Sequence, residues 1–162
     1  MAPVPPEVLL LLFLNFSEFH GDGEAVWLGE RGTVVVQLAR RPSRPEESCV
    51  FEWRLPQARL EELRARLAGL SLAQEKIKDR PGIPDEVRVT YGYRDGEGRW
   101  TRLQLWEAEQ GANQAALAPL PEIVRGLVAD CENRKPSSCQ PLKRGQVRLH
   151  WPAQLAPAPA AR

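Results

Sequence analysis

An α+β fold, with an antiparallel sheet in β-β-β-α-β-β-α order and two helices packed on one face, follows from three observations in the sequence. Apolar and polar residues alternate over residues 49–55 and 87–94, which is the period of half-buried strands. Leucines recur at helical spacing over residues 60–70. Short loops bounded or punctuated by glycine join neighbouring strands, and strands joined by hairpins build an antiparallel sheet that amphipathic helices can cover. A length of 162 residues fits one domain, and 43% hydrophobic with 27% charged residues is the balance of a globular chain.

The first element is the uninterrupted apolar run 8–14. It is too short to span a bilayer, and three prolines with no Lys or Arg precede it, unlike a secretion signal. A strand covered on both faces loses its alternation, so the run reads as a buried strand. Residues 25–28 and 33–38 flank Gly29-Glu30-Arg31-Gly32 and read as a hairpin. Residues 40–47, with Pro42 and Pro45, read as a loop. In the next strand Cys49, Phe51, Trp53 and Leu55 share one face and Val50, Glu52 and Arg54 the other.

Pro56 opens a helix whose apolar side is Leu60, Leu63, Leu67 and Leu70, and Gly69 ends it. Residues 71–86 are polar and carry Pro81, Gly82 and Pro84, as an exposed connection does. Val87, Val89, Tyr91 and Tyr93 then alternate with Arg88, Thr90, Gly92 and Arg94 before the turn at Asp95-Gly96-Glu97-Gly98.

Register decides what the returning strand, 99–106, presents. A four-residue loop would pair Tyr93 with Trp100 and mix polar with apolar positions. A five-residue loop instead sets Thr101, Leu103 and Leu105 beside Tyr93, Tyr91 and Val89 on the core side. Trp100, Arg102, Gln104 and Trp106 then meet Arg94, Gly92, Thr90 and Arg88 on the outer side. Two cation–π pairs are expected there, Arg94 with Trp100 and Arg88 with Trp106, each worth roughly 0.5–1 kcal/mol if exposed. A second helix starts at Pro119 or Pro121, with Leu120, Ile123, Val124, Leu127, Val128 and Cys131 as its apolar side. Residues 1–133 thus form a single α+β domain. Residues 134–162 form a basic, Pro/Ala-rich extension with a short strand at 146–151 and a disordered end.

Six of the 22 basic residues and none of the 21 acidic ones fall in residues 134–162, so a tail of +6 follows a body of −5. Such a tail either folds back on the acidic body or seeks nucleic acid, with Arg134, Lys135, Lys143, Arg144 and Arg148 as the contacts. The charges are scattered and lack interleaved aromatics, which disfavours a stacking platform.

Few catalytic chemistries are available. The two histidines, His20 and His150, are not at metal-ligand spacing, and the motifs of phosphate cradles, dinucleotide folds and hydrolase elbows are missing. His20-Gly21-Asp22-Gly23-Glu24 gathers several donors in one loop but lacks the register of a calcium loop, so no metal and no cofactor is expected. Cys49 points inward and reads as inert packing. Cys131 and Cys139 close a small loop around Pro136 if the protein is exported; otherwise all three cysteines are reduced thiols. Reduced cysteines and the lack of a signal segment together point to a cytoplasmic location, with export left open.

The feature above background is the set of five tryptophans. Trp and Arg dominate the hot spots of protein interfaces, so Arg88, Arg94, Trp100, Arg102 and Trp106 are the candidate partner-binding residues. The competing expectation is that the basic tail covers this face, with Trp151 stacked on it.

The helix opening Pro56-Gln57-Ala58-Arg59-Leu60-Glu61-Glu62-Leu63, the strand Val87-Arg88-Val89-Thr90-Tyr91, the strand Arg99-Trp100-Thr101-Arg102-Leu103-Gln104-Leu105 and the closing Leu117-Ala118-Pro119-Leu120 resemble small bacterial proteins of the emfourin type, which inhibit thermolysin-like metalloproteases. The resemblance covers residues 8–131 as a pattern and implies a catalytically silent binding module. The expected function is therefore a non-catalytic module that binds another protein, as inhibitor or accessory subunit, without inserting into a membrane. The alternative is a nucleic-acid-associated subunit that uses the tail.

Overall fold

The computed structural model of the protein describes residues 5–17, 22–70, 87–106, 113–143 and 147–156. The expected connection at 71–86, His20 and Gly21, Arg144, and the end beyond residue 156 lie outside these residues. Strands β1 (Glu7–Ser17), β2 (Asp22–Gly29), β3 (Thr33–Arg41) and β4 (Arg44–Arg54) precede helix α1 (Gln57–Ala68). Then come β5 (Arg88–Arg94), β6 (Trp100–Trp106), the short α2 (Gln114–Leu117), α3 (Leu120–Ala129) with a 3₁₀ turn at Asp130–Asn133, β7 (Ser138–Pro141) and β8 (Leu155–Ala156). The sheet runs β6-β5-β1-β2-β3-β4-β7, and β8 adds to β1 in parallel. The fold is α+β with an antiparallel sheet. Four strands come before the first helix, one for each of the segments 8–14, 25–28, 33–38 and 49–55 and one more than the order β-β-β counts.

One face of the sheet carries both helices. Leu60, Leu63 and Leu67 of α1 and Leu120, Ile123, Val124 and Leu127 of α3 pack with Val26, Leu28, Val34, Val36, Phe51, Tyr91 and Leu105 in one core. Strand β1 explains its unbroken apolar run by serving two layers. A bulge between Leu9 and Leu11 puts Leu10, Leu11 and Phe13 in the helix-side core, while Leu9 and Leu12 join a second cluster on the opposite face with Ala25, Trp27 and Val35.

That second cluster is closed by the tail. Residues 147–152 cross the outer face, with Leu149 packed on the cluster and Leu155 buried in it. Trp151 meets Trp27 edge-on, ring centroids 6.0 Å apart. The buried Gln37 amide fastens this strap: its Nε2 donates to Ser48 Oγ (3.0 Å) and to the Arg148 carbonyl (3.1 Å), and its Oε1 accepts from the His150 N–H (2.5 Å). The expected strand at 146–151 is absent from the described residues 147–151, because the chain there lies across the sheet and bonds to a side chain instead of an edge. Strand pairing falls later, at Leu155–Ala156 beside Glu7 and Val8.

The expected loop 40–47 is also mostly strand. β3 and β4 continue to a tight turn at Pro42 and Ser43, past a bulge at Arg40, whose φ is 59°. Pro45 is tolerated because β7 pairs only with residues 47–50, so its missing N–H lies beyond that ladder. The cysteine expectations need correction. Cys49 faces Cys139 across the β4–β7 ladder and the two form a disulfide, which leaves Cys131 as the buried free thiol. Cys131 lies in the 3₁₀ turn with its side chain in the helix-side core, so it does not pair with Cys139.

Candidate functional site

The β5–β6 hairpin adopts the register of the five-residue loop: Tyr93 faces Thr101, Tyr91 faces Leu103 and Val89 faces Leu105, with Arg94 opposite Trp100 and Arg88 opposite Trp106. The turn holds because Asp95 ties it from inside. Its Oδ1 accepts the N–H groups of Glu97 (2.9 Å) and Arg99 (3.0 Å), its Oδ2 accepts Arg99 Nε (3.1 Å), and Gly98 supplies a φ of 76°.

The five candidate partner residues therefore share the face turned away from α1 and α3, but they behave differently. Arg88 stacks over Trp106 at 4.7 Å from the ring centroid and also donates to the Gln104 carbonyl (3.1 Å). Arg102 is exposed beside them. The expected Arg94–Trp100 stack is replaced by two other contacts. Arg94 turns to Glu30, 3.8 Å away in the β2–β3 turn, which leaves its Nε and Nη2 buried without a hydrogen-bond partner. Trp100 lies instead over Gly92, where the absent side chain makes room, and packs partly against the outer cluster. Arg88, Arg102 and Gln104 are thus the exposed end of the face, with Trp106 half-buried beside them, and Trp100 is a packing residue at its border.

The basic residues of the tail are dispersed over different surroundings. Arg134 lies over the Trp53 ring at 4.5 Å, and Arg148 sits in the strap, its carbonyl held by Gln37. Lys135 precedes β7 and Lys143 follows it. Sequence reasoning had no means to find the strap anchor, because Gln37 is a single polar residue in a β-rich run and nothing local marks its distant partners.

A cleft of about 420 Å³ opens elsewhere, between the β2–β3 end and α3, lined by Glu24, Arg40, Arg41, Val128, Cys131 and Glu132. Its thiol is a poor nucleophile: burial pushes the Cys131 pKa up to about 12, so the group stays protonated at neutral pH. Burial likewise raises the Tyr91 phenol to about 12. No helix among the described residues is long and apolar enough to cross a membrane. No family model, curated protein or solved structure matches the chain.

Proposed function

We propose that the chain is a non-catalytic protein-binding module, an inhibitor or accessory subunit, that docks through the outer face of the β5–β6 hairpin. The observation that carries this reading is the Arg88–Trp106 stack beside Arg102, on a stretch of sheet where Arg88, Arg102 and Gln104 remain exposed. An indole held flat by a guanidinium offers a large rigid contact area with little rotamer entropy left to lose, which is how interface anchors gain affinity. Trp106 and Arg102 are the anchors, with Arg88 holding the ring; Arg94 and Trp100 support the hairpin. The likeness to emfourin-type proteins agrees with a silent binding module. The nucleic-acid reading has less behind it: the Arg134 guanidinium is stacked on Trp53, and Arg148, exposed in the strap, is tied there through its backbone carbonyl. The cytoplasmic expectation leaned on three free thiols, a premise that the Cys49–Cys139 bond removes.

The test is capture of the partner from the native cell, identification by mass spectrometry, and titration of that purified partner. Trp106→Ala combined with Arg102→Glu should weaken binding by at least about 2 kcal/mol, roughly thirtyfold, at an unchanged melting temperature. Binding as tight as that of the parent chain would refute this use of the face.

A further inference from the structure

We propose that Glu47, Cys49 and Cys139 form a metal site, open to a borderline-soft divalent cation such as Zn²⁺ when the disulfide between the two cysteines is reduced. Cys49 and Cys139 stand directly opposite each other on β4 and β7, their Cα atoms 4.1 Å apart. Glu47, two residues before Cys49, falls on the same face of β4. A carboxylate oxygen of Glu47 and both sulfurs lie within 4.8 Å of one another, and Glu47 Oε2 is 3.9 Å from Cys49 Sγ.

Two thiolates and a carboxylate are a donor set that suits zinc, with Zn–S near 2.3 Å and Zn–O about 2.0–2.2 Å; around a tetrahedral ion such donors stand roughly 3.5–3.8 Å apart. Side-chain rotation alone reaches that spacing. The backbone need not move, because β7 is held independently of the sulfurs: Ser137 N–H donates to the Val50 carbonyl and Leu142 N–H to the Glu46 carbonyl, each at 2.7–2.8 Å, on either side of the ladder. The sheet edge leaves a fourth position for water.

Disulfide and cation are alternative occupants. A dithiol reduces the bond, giving two Cys thiols and its own disulfide; the cation then binds both sulfurs as thiolates and releases two protons. Arg44 competes with the cation. Its Nη1 lies 3.0 Å from Glu47 Oε2 and 3.7 Å from Cys139 Sγ, and as a half-exposed side chain it can swing into solvent when the metal enters.

The full chain is reduced with a phosphine, which takes an oxygen from water to become the phosphine oxide, freed of reductant, and titrated with Co²⁺ and then Zn²⁺. One Co²⁺ per chain should bind with sulfur-to-metal charge transfer and tetrahedral visible bands, Zn²⁺ should displace it, and the oxidised chain should show neither. Cys139→Ser should abolish the charge transfer with an unchanged circular dichroism spectrum, and Cys131→Ala should preserve it. Glu47→Gln should weaken binding at least about tenfold, the floor for removing a group that holds a metal in place, whereas Arg44→Gln should tighten it. A reduced chain without charge transfer, folded or not, overturns the site. So does charge transfer that survives Cys139→Ser, disappears in Cys131→Ala, or accompanies parental affinity in Glu47→Gln.

Discussion

A Cβ added to Gly92 would collide with Trp100 Cζ2, so the indole occupies the space that any larger residue at 92 would claim. Glycine inside a strand normally weakens it by roughly 0.5–1 kcal/mol relative to alanine. Here the sign reverses. Gly92→Ala must lift the ring off the sheet, and we expect a loss of about 1–3 kcal/mol in chemical denaturation together with a red-shifted tryptophan emission. Asp95 is the second residue that decides the hairpin. The Arg99 N–H above all, then the Glu97 N–H and the Arg99 guanidinium, hold its carboxyl below the ordinary Asp range. A carboxylate depressed in the fold stabilises it above the unfolded pKa, and that contribution is lost as pH falls through the folded one. The turn should therefore loosen below about pH 4, seen as coupled shifts of the Glu97 and Arg99 amide signals, and Asp95→Asn should remove that transition.

Among the elements, the β5–β6 hairpin was legible and the tail was not. In the hairpin only one register gathers Val89, Tyr91, Leu103 and Leu105 on one side and leaves Arg88, Arg94, Trp100, Arg102 and Trp106 on the other, so local pairing fixed the geometry without knowledge of the rest. Cys49, Phe51 and Trp53 on β4 with Leu55 just after it, and Leu60, Leu63 and Leu67 on α1, were readable for the same reason: their burial follows from period alone. The strap depends on a contact across more than 100 residues, between Gln37 and the backbone of Arg148 and His150, and no local pattern marks it. The Arg94–Trp100 pair was misread because the opposite position was assumed to win over the vacancy at Gly92. Gln37→Leu tests the strap as an element. It leaves the Arg148 carbonyl and His150 N–H without their partner while keeping an apolar side chain under the tail, at a cost of roughly 2–3 kcal/mol. Hydrogen exchange should quicken in residues 147–156 well before it quickens in β1 to β3; uniform acceleration would mean that the strap is no separate unit.

At the scale of the whole molecule, one sheet separates two apolar layers, and a single stretch of chain bears on both. From α3, in the helix-side layer, it passes through β7 at the β4 edge, crosses the outer face and ends at β8 beside β1. The Cys49–Cys139 bond closes this path early, across a sequence separation of 90 residues. The spacing of three cysteines could not disclose that pairing, because it is set by which strand β7 joins. Such a long closed loop places the bond at the stabilising end of the usual range, about 2–4 kcal/mol through the entropy it removes from the unfolded chain. Cys139→Ser should accordingly lower the melting temperature by about 5–15 °C for a chain of this size. Reduction of the parent chain should lower it equally when metal is excluded, since both changes delete the same crosslink. The loss should appear as one transition, because α3 and the strap are consecutive along the chain and lie against opposite faces of the same strands. Two separated transitions by calorimetry, one sensitive to Cys139→Ser and one not, would show instead that the outer layer unfolds on its own.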